Sequence, residues 1–456
     1  MQVETIILAA GKGSRMNSSL PKVLHPIAGK PMLGHVVDTA RKLENNHIYI
    51  VVGHGAEQVK KSFSADEVFW VEQEEQLGTG HAVLQALPFL DAQGNTLVLY
   101  GDVPLITLET LQKLIKQVDQ NSLVLLTTQL DNPQGYGRIV RDKKGGVIRI
   151  VEQKDASQQE LEITEINTGI MAANTADLKN WLAQLNNRNA QKEYYLTDIV
   201  EIAKSAGKEI RTCTTTLEYE VQGVNDREQQ AELEKVWQKN KALALMKKGV
   251  SFARPESFTC RGNIETGEDV FIDVNVLVEG NVTLGNGVII GANSVVIDSE
   301  IADGVIVKPF SHIEGAHIGE QCEIGPYARI RPGTVLSRSV KIGNFVETKK
   351  AVILAGSKVN HLSYIGDAEI GENCNIGAGT ITCNYDGIEK FRTTLGNHVF
   401  IGSNNTLVAP LNLDDYSFTA AGSCITGDVE KNALAIARTR QKNIKNWKRP
   451  DQRGEK

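Results

Sequence analysis

The sequence predicts an α/β domain with a mostly parallel sheet, joined by a linker helix to a β-solenoid of hexapeptide repeats. Three observations carry this. Up to about residue 224, apolar runs such as TIILAA, IYIVVGH, NTLVLYGD and SLVLLTTQL alternate with amphipathic stretches. From about residue 251, an apolar residue recurs at every sixth position. Between them, Asn225 to Val250 forms one long stretch whose charges run from acidic to basic.

Near-continuous apolar runs suit strands covered on both faces by helices, as in a parallel sheet. PMLGHVVDTARKL and TLETLQKLIKQV have helical spacing and lie between such strands, so residues 1–225 read as one α/β domain. In the next stretch Asp226, Glu228, Glu232 and Glu234 lead, Lys241, Lys247 and Lys248 follow, and Gly249 stops it. That order complements the helix macrodipole, and the glycine suits a C-cap, so residues 226–250 are expected to form the linker helix.

Ile272, Val278, Leu284, Ile290 and Val296 then stand six apart, as do Ile318, Ile324, Ile330, Leu336 and Ile342. Neither a helix nor an alternating strand has this period. A triangular solenoid does, with one hexad per face, the apolar residue inward and small residues filling the corners. One long interruption, Thr382 to Thr394, is expected to be an external loop. The repeat domain is placed at 251–436 and a solvated basic tail at 437–456.

Composition narrows the class. The 456 residues are 41% hydrophobic and 23% charged, ordinary globular material for two or three domains. A net charge of -6 argues against a general nucleic-acid binder. No apolar run approaches the ~18 residues that span a bilayer, and no basic leader precedes the first strand. Six cysteines lie scattered without a CxxC pair. The expectation is a cytoplasmic protein with reduced thiols, no nucleic-acid partner and no membrane.

The motifs sit where chemistry is expected. In LAAGKGSRM, Gly11 and Gly13 let backbone N–H groups approach an anion, and Lys12 and Arg15 add positive charge. The spacing is neither GxxxxGK[ST] nor GxGxxG, so by itself it also reads as a plain turn. Lys22 follows Pro21, EQLGTGHA flanks Thr79 with glycines, and YGDVPL ends an apolar strand with Asp102. An Asp at the carboxyl end of a strand suits either Mg²⁺ or the cap of the next helix. Asn225, with Glu228 three residues on, reads as an N-cap with a capping box. In the repeats, NHLSYIG places His361 shortly before the inserted loop, a candidate base for taking a proton from an amine.

LAAGKGSRM, PKVL, EQLGTGHA, YGDVPL, GYGRIV, VEQKDA and EINTGI, in this order, resemble the sugar-phosphate nucleotidyltransferases. With the hexapeptide half, nearly the whole chain is similar to the family of bifunctional N-acetylglucosamine-1-phosphate uridylyltransferases/glucosamine-1-phosphate N-acetyltransferases. The resemblance implies a Rossmann-like first domain and a left-handed parallel β-helix. It implies acetyl transfer from acetyl-CoA to glucosamine 1-phosphate, then uridylyl transfer from UTP to N-acetylglucosamine 1-phosphate, with Mg²⁺ and a homotrimer.

It further implies that Leu8, Ala9, Ala10 and Gly11 line the UTP site. Lys22 would neutralise phosphate, while Gln73, Gly78 and Thr79 contact uracil. Tyr100 and Gly101 would lie near nucleotide and sugar, and Gly137, Glu152 and Asn167 would hold the acetylated sugar. Asp102 and Asn225 would be the metal ligands, which sets the metal role of Asn225 against its reading as a cap. In the repeats, His361 would be the general base. Arg331, Lys349, Tyr364 and Asn375 would bind glucosamine 1-phosphate, and Ala378, Asn384, Tyr385, Ser403, Ala421 and Arg438 would contact acetyl-CoA. Lys390 in the inserted loop is a further candidate.

Two other readings compete. The solenoid is only a trimerisation scaffold for a nucleotidyltransferase, or His312, His317 and His361 converge on zinc.

Overall fold

All seven residues of Val3–Ala9 are buried, so this run needs cover on both faces and becomes the central strand β1. In the computed structural model, which describes residues 2–63 and 68–452, eight more strands share its sheet. They are β2 (Asn46–Val52), β3 (Phe69–Glu72), β4 (Asn95–Tyr100), β5 (Ser122–Gln129), β6 (Gly137–Arg141), β7 (Val147–Val151), β8 (Glu165–Asn174) and β9 (Glu209–Thr214). The order is β9-β5-β8-β4-β1-β2-β3, with β6 pairing β8 and β7.

Along that path every strand runs the same way except β8, which is antiparallel to β4 and β5. The chain leaves β1 toward β2 and β3, then crosses back to β4 on the other side of β1. The gap between β1 and β4 is therefore the switch point where open α/β sheets bind ligands.

Helices cover both faces. Met32–Arg41 turns Met32, Leu33, Val36, Val37 and Ala40 inward at helical spacing. Leu108–Ile115 starts at Thr107, whose side chain accepts from Thr110 N. Because side chains alternate along β1, Ile7 and Ala9 enter one apolar cluster while Ile6, Leu8 and Ala10 enter the other.

The chain divides into two compact units, Met1–Trp237 and Gln238–Lys456. The boundary falls inside the long helix, which runs Arg227–Met246. In the first unit Leu233 and Trp237 join a cluster with Met16, Ile27 and Met32. In the second, the Gln238 side chain bonds both backbone groups of Cys260. Of the two sequence readings of Asn225, the cap is not the one this helix uses. Asp226 Oδ1 accepts from Gln229 N at 2.9 Å, so Asp226 is the cap. Gln229 rather than Glu228 reaches back, accepting from Asn225 N at 2.7 Å. An Asp one residue nearer the first turn competes better for its N–H groups.

The second unit is a parallel β-helix. Phe271 pairs with Ile289 and Ile289 with Ile306, so a coil takes 18 or 17 residues. The inserted loop lengthens one coil, in which Asn375 pairs with Phe400. The hexad is also shortened elsewhere. Val278 to Leu284 is a six-residue step, but their partners Val296 and Ile301 are five apart. One residue is lost at a corner without disturbing the inward stack.

The corners correct a second expectation. At one of them Phe310, Tyr327, Phe345 and Leu362 all have positive φ, and all are exposed. A left-handed residue turns its side chain outward, so the corner tip has unlimited space. The next residue points into the acute angle, and there small side chains do recur: Ser294, Ser311, Ala328, Ser363 and Ser423, all buried. Among the described residues no helix is long and apolar enough to cross a membrane.

The inward stack fixes which residues stability depends on. Ile376 is buried, whereas Ile381 in the same coil is 46% exposed. Ile376→Ala should cost about 2–5 kcal/mol and Ile381→Ala within about 0.5 kcal/mol, read by urea unfolding of the full chain. Equal costs would contradict this inside–outside assignment.

Candidate functional site

The carboxyl ends of β1 and β4 meet because Leu8 pairs with Tyr100 in parallel register, and Gly101 N donates to Leu8 O at 2.9 Å. Beside them opens a cavity of about 450 Å³, which Leu8, Ala10, Gly11, Gln73, Gly78 and Thr79 help to line. A Cβ on Gly11 would meet no protein atom, so the space there belongs to the cavity. Gly13 serves the turn itself. Its φ is +60°, and a Cβ would collide with the Lys22 side chain. Ala9 does not share this cavity, since strand alternation sends its side chain into the opposite core cluster.

A second loop completes the wall. Gly78 has φ +112°, and a Cβ on it would lie 2.7 Å from Tyr194 O. Gly80 N donates to that same carbonyl at 2.8 Å, and Tyr194 N donates to Leu77 O at 2.8 Å. Thr79 Oγ1 accepts from Leu196 N at 3.1 Å. The segment around Glu193 thus frames the cavity, and sequence reading missed it. It carries no motif and lies more than a hundred residues from its partners. Lys12 and Gln76 also line the cavity.

Next to the cavity stands an ion pair joined by an amide. Lys22 Nζ pairs with Asp102 and donates to Asn225 Oδ1 at 2.8 Å. Val224 N donates to Asp102 O at 3.0 Å, which brings the start of the long helix to the end of β4. With Asp226 as the cap, the Asn225 side-chain oxygen faces the ammonium instead. A carboxylate and an amide oxygen around one cation are the hard donors Mg²⁺ takes. Among the described residues no group of three His, Cys, Asp or Glu side chains forms a metal cluster.

Beyond Tyr100 lies an acidic wall. Gly137 pairs with Asn167, and a Cβ on Gly137 would lie 3.6 Å from the Glu152 carboxyl. Asn167 Oδ1 accepts from Gly169 N at 3.2 Å, at the bulge of β8. Burial raises the Glu152 carboxyl above its ordinary range. Thr197, donating at 3.1 Å, opposes the shift, and the Asp198 and Asp155 charges add to it. Burial likewise raises Asp198. Tyr100 is pushed up by burial first, then by Glu152 and Asp102.

In the β-helix, the register runs Val359–Ile376–Ile401–Thr419. Two residues beyond each stand His361, Ala378, Ser403 and Ala421, one column on successive coils. Arg438 Nη1 donates to Ala421 O at 2.7 Å and closes the far end. Below the small residues, His361 is exposed beside the corner at Leu362.

Across that corner, Arg329, Glu347 and Tyr364 form the next column, with Arg331 and Lys349 two residues beyond the first two. Arg331 Nη1 bonds Glu347 at 2.7 Å. The ammonium of Lys390, from the inserted loop, lies beside Lys349 and pushes its pKa down. Two cations held together favour an anion between them. Asn384 is buried and donates to Asp367, while Tyr385 is exposed on the loop, its hydroxyl bonded to Gly387 O at 2.5 Å. Asn375 is not in the Tyr364 column. It lies on the His361 face, paired with Lys358. Of the other histidines, His312 pairs with Val295 and Arg329, while His317 Nδ1 lies 3.0 Å from Glu300.

Residues 5–143 match the MobA-like NTP transferase domain family, and residues 260–344 match the GMPPB C-terminal domain family. The chain is 55% identical over 448 residues to the bifunctional protein GlmU of Marinobacter nauticus, covering 98% of this chain and 99% of that one. It is 55% identical, with the same coverage, to the bifunctional protein GlmU of Cellvibrio japonicus. It is 54% identical to that of Stutzerimonas stutzeri, covering 99% of both chains.

The raised carboxyl of Glu152 has a measurable consequence. An acid whose folded pKa exceeds its unfolded one binds its proton more tightly when folded. Stability therefore falls as pH rises from the unfolded value through the folded one, and is level above it. Urea unfolding between about pH 4 and about pH 7 should show the stability of the parent chain falling relative to that of Glu152→Gln as pH rises. The same slope in both would refute the assignment.

Proposed function

The chain belongs to the GlmU family of bifunctional proteins, and on that premise we propose which of its residues carry each reaction. The protein makes UDP-N-acetylglucosamine in two steps. Acetyl passes from acetyl-CoA to glucosamine 1-phosphate in the β-helix. Uridylyl then passes from UTP to N-acetylglucosamine 1-phosphate in the α/β unit, and pyrophosphate leaves.

In the α/β unit, Leu8, Ala10, Gly11, Gln73, Gly78 and Thr79 take the uridine end of UTP, supported by the cavity they share. The sugar lies against Tyr100, Gly137, Glu152 and Asn167. The attacking phosphate oxygen is already anionic, so this site needs alignment and charge neutralisation rather than a strong base. Lys22 supplies one positive charge. Asp102 and Asn225 would hold Mg²⁺, whose charge neutralises the phosphates of UTP when it is bound. What supports this is their two hard oxygens turned on one cation.

The column ending on His361 is the observation that carries the second half. Ala378, Ser403 and Ala421 leave an unobstructed track along the coils, which suits a long thioester, with Arg438 at the phosphate end. His361 takes the proton of the sugar amine as its nitrogen attacks the thioester carbonyl. A C–N bond forms, the C–S bond breaks and the CoA thiolate leaves. Arg331, Lys349 and Lys390 receive the sugar phosphate, and Tyr364 and Asn375 bound the sugar from two faces. Asn384 and Tyr385 place the inserted loop over the thioester.

The homotrimer is supported by the ladder of Phe310, Tyr327, Phe345 and Leu362, between 46% and 62% exposed, a continuous apolar edge that a second copy would cover. Cytoplasmic residence is supported by six free cysteines.

His361→Ala should reduce sugar-dependent thiol release from acetyl-CoA by about 10²–10⁴-fold while leaving pyrophosphate release from UTP and N-acetylglucosamine 1-phosphate at the parental rate. Loss of both, or of neither, would sink the assignment. Asn225→Ala should instead raise the Mg²⁺ concentration needed for half-maximal pyrophosphate release by about tenfold or more and leave thiol release unchanged. An unaltered Mg²⁺ titration would remove Asn225 from the metal site.

A further inference from the structure

We propose that His81 is a positioning residue that fixes the side-chain amide of Gln73 and thereby makes the site prefer uracil over cytosine. The inference rests on the reading that Gln73 meets the base. Gln73 is 3% exposed and its backbone is anchored, its N donating to Val52 O at 2.8 Å. Its Nε2 lies 3.2 Å from Gly78 O and 3.0 Å from His81 Nδ1. A carbonyl only accepts, so the NH₂ must face Gly78. The His81 Nδ1 must then accept as well, which places its one proton on Nε2.

On its other side, His81 Nε2 is 3.1 Å from the Gln85 amide. A neutral imidazole cannot accept at both nitrogens, so one of the two amides presents oxygen to it. Turning the Gln85 amide gives up its long 3.3 Å bond to His81 O, but Gln85 is half-buried, so solvent can take over that hydrogen bond. Gln73 is 3% exposed, so turning it would set its oxygen against Gly78 O with no solvent to compensate. The resulting order is Gln73 N–H to His81 Nδ1, and His81 Nε2–H to the Gln85 oxygen.

Gln73 Oε1, with no donor bonded to it among the described residues, is left for the ligand, and Gln73 lines the cavity. Uracil offers N3–H to such an oxygen. Cytosine offers a lone pair at N3, and two acceptors face each other. Without the acceptor at His81, the Gln73 amide is held only by Gly78 O and turns more readily, which relaxes the preference.

The test compares kcat/KM for UTP and CTP in pyrophosphate release by the full-length protein. Sugar-dependent thiol release serves as the control for folding of the rest of the chain. His81→Ala should lower the UTP/CTP ratio by about tenfold or more, with the KM for UTP rising more than kcat falls. His81→Asn, whose side-chain oxygen lies near the place of Nδ1, should restore most of the ratio. A ratio unchanged in His81→Ala, or a loss that His81→Asn does not restore, overturns the role of His81. Gln73→Leu separates the two levels. If it leaves the ratio unchanged, the reading of Gln73 as the base contact fails and the inference with it. If it abolishes the ratio while His81→Ala does not lower it, only the inference fails.

Discussion

In a parallel ladder every strand leaves from the same edge as its neighbours, so whatever follows the strands is gathered along one line. Both candidate sites depend on this. In the first unit, β1, β3 and β4 deliver Gly11, Gln73 and Asp102 to one edge, and the Leu8–Tyr100 register sets their level. In the second, coils of 17 or 18 residues repeat the same alignment, and His361, Ala378, Ser403 and Ala421 fall into one column. A slip of one residue in either ladder would turn these side chains to the opposite face.

The two units handle charge differently, in keeping with their chemistry. The α/β site mixes signs at short range. Lys22 lies between Asp102 and Asn225, and a half-buried acidic wall stands beyond Tyr100. Such a site can neutralise a phosphate chain and hold the hydroxyls of a sugar at once. The β-helix site keeps two ammonium groups side by side, Lys349 and Lys390, drawn from a coil and from the inserted loop. That arrangement is unfavourable until an anion enters to neutralise it.

The corners of the β-helix show how backbone conformation gives both packing and surface. At several corners the left-handed residue turns outward and the next position holds a small buried side chain, as in Phe310–Ser311, Tyr327–Ala328 and Leu362–Ser363. The same geometry lets Phe310, Tyr327 and Phe345 stack on one another on the outside, with ring centroids 4.9 and 5.3 Å apart. That stacking offsets part of the cost of placing bulky residues at positive φ. The edge that results lies directly beside the column of His361.

Much of this was legible in the sequence because it depends on local period and local residue chemistry. The doubly covered strands, the six-residue repeat, the inserted loop and the acidic-to-basic helix are all written in consecutive residues. Motif order singled out Gly11, Lys22 and Asp102 as candidates, and NHLSYIG singled out His361. The rest depends on contacts between residues far apart in the chain, which no window reveals. Only the fold seats the Glu193–Leu196 segment on Gly78 and Thr79. The choice of Asp226 over Asn225 as the cap turned on which side chain reaches the first turn, once Lys22 was there to engage Asn225. Sequence sets what each segment prefers to be; tertiary structure decides which distant partners each polar atom meets, because those hydrogen bonds exist only after the backbone is packed.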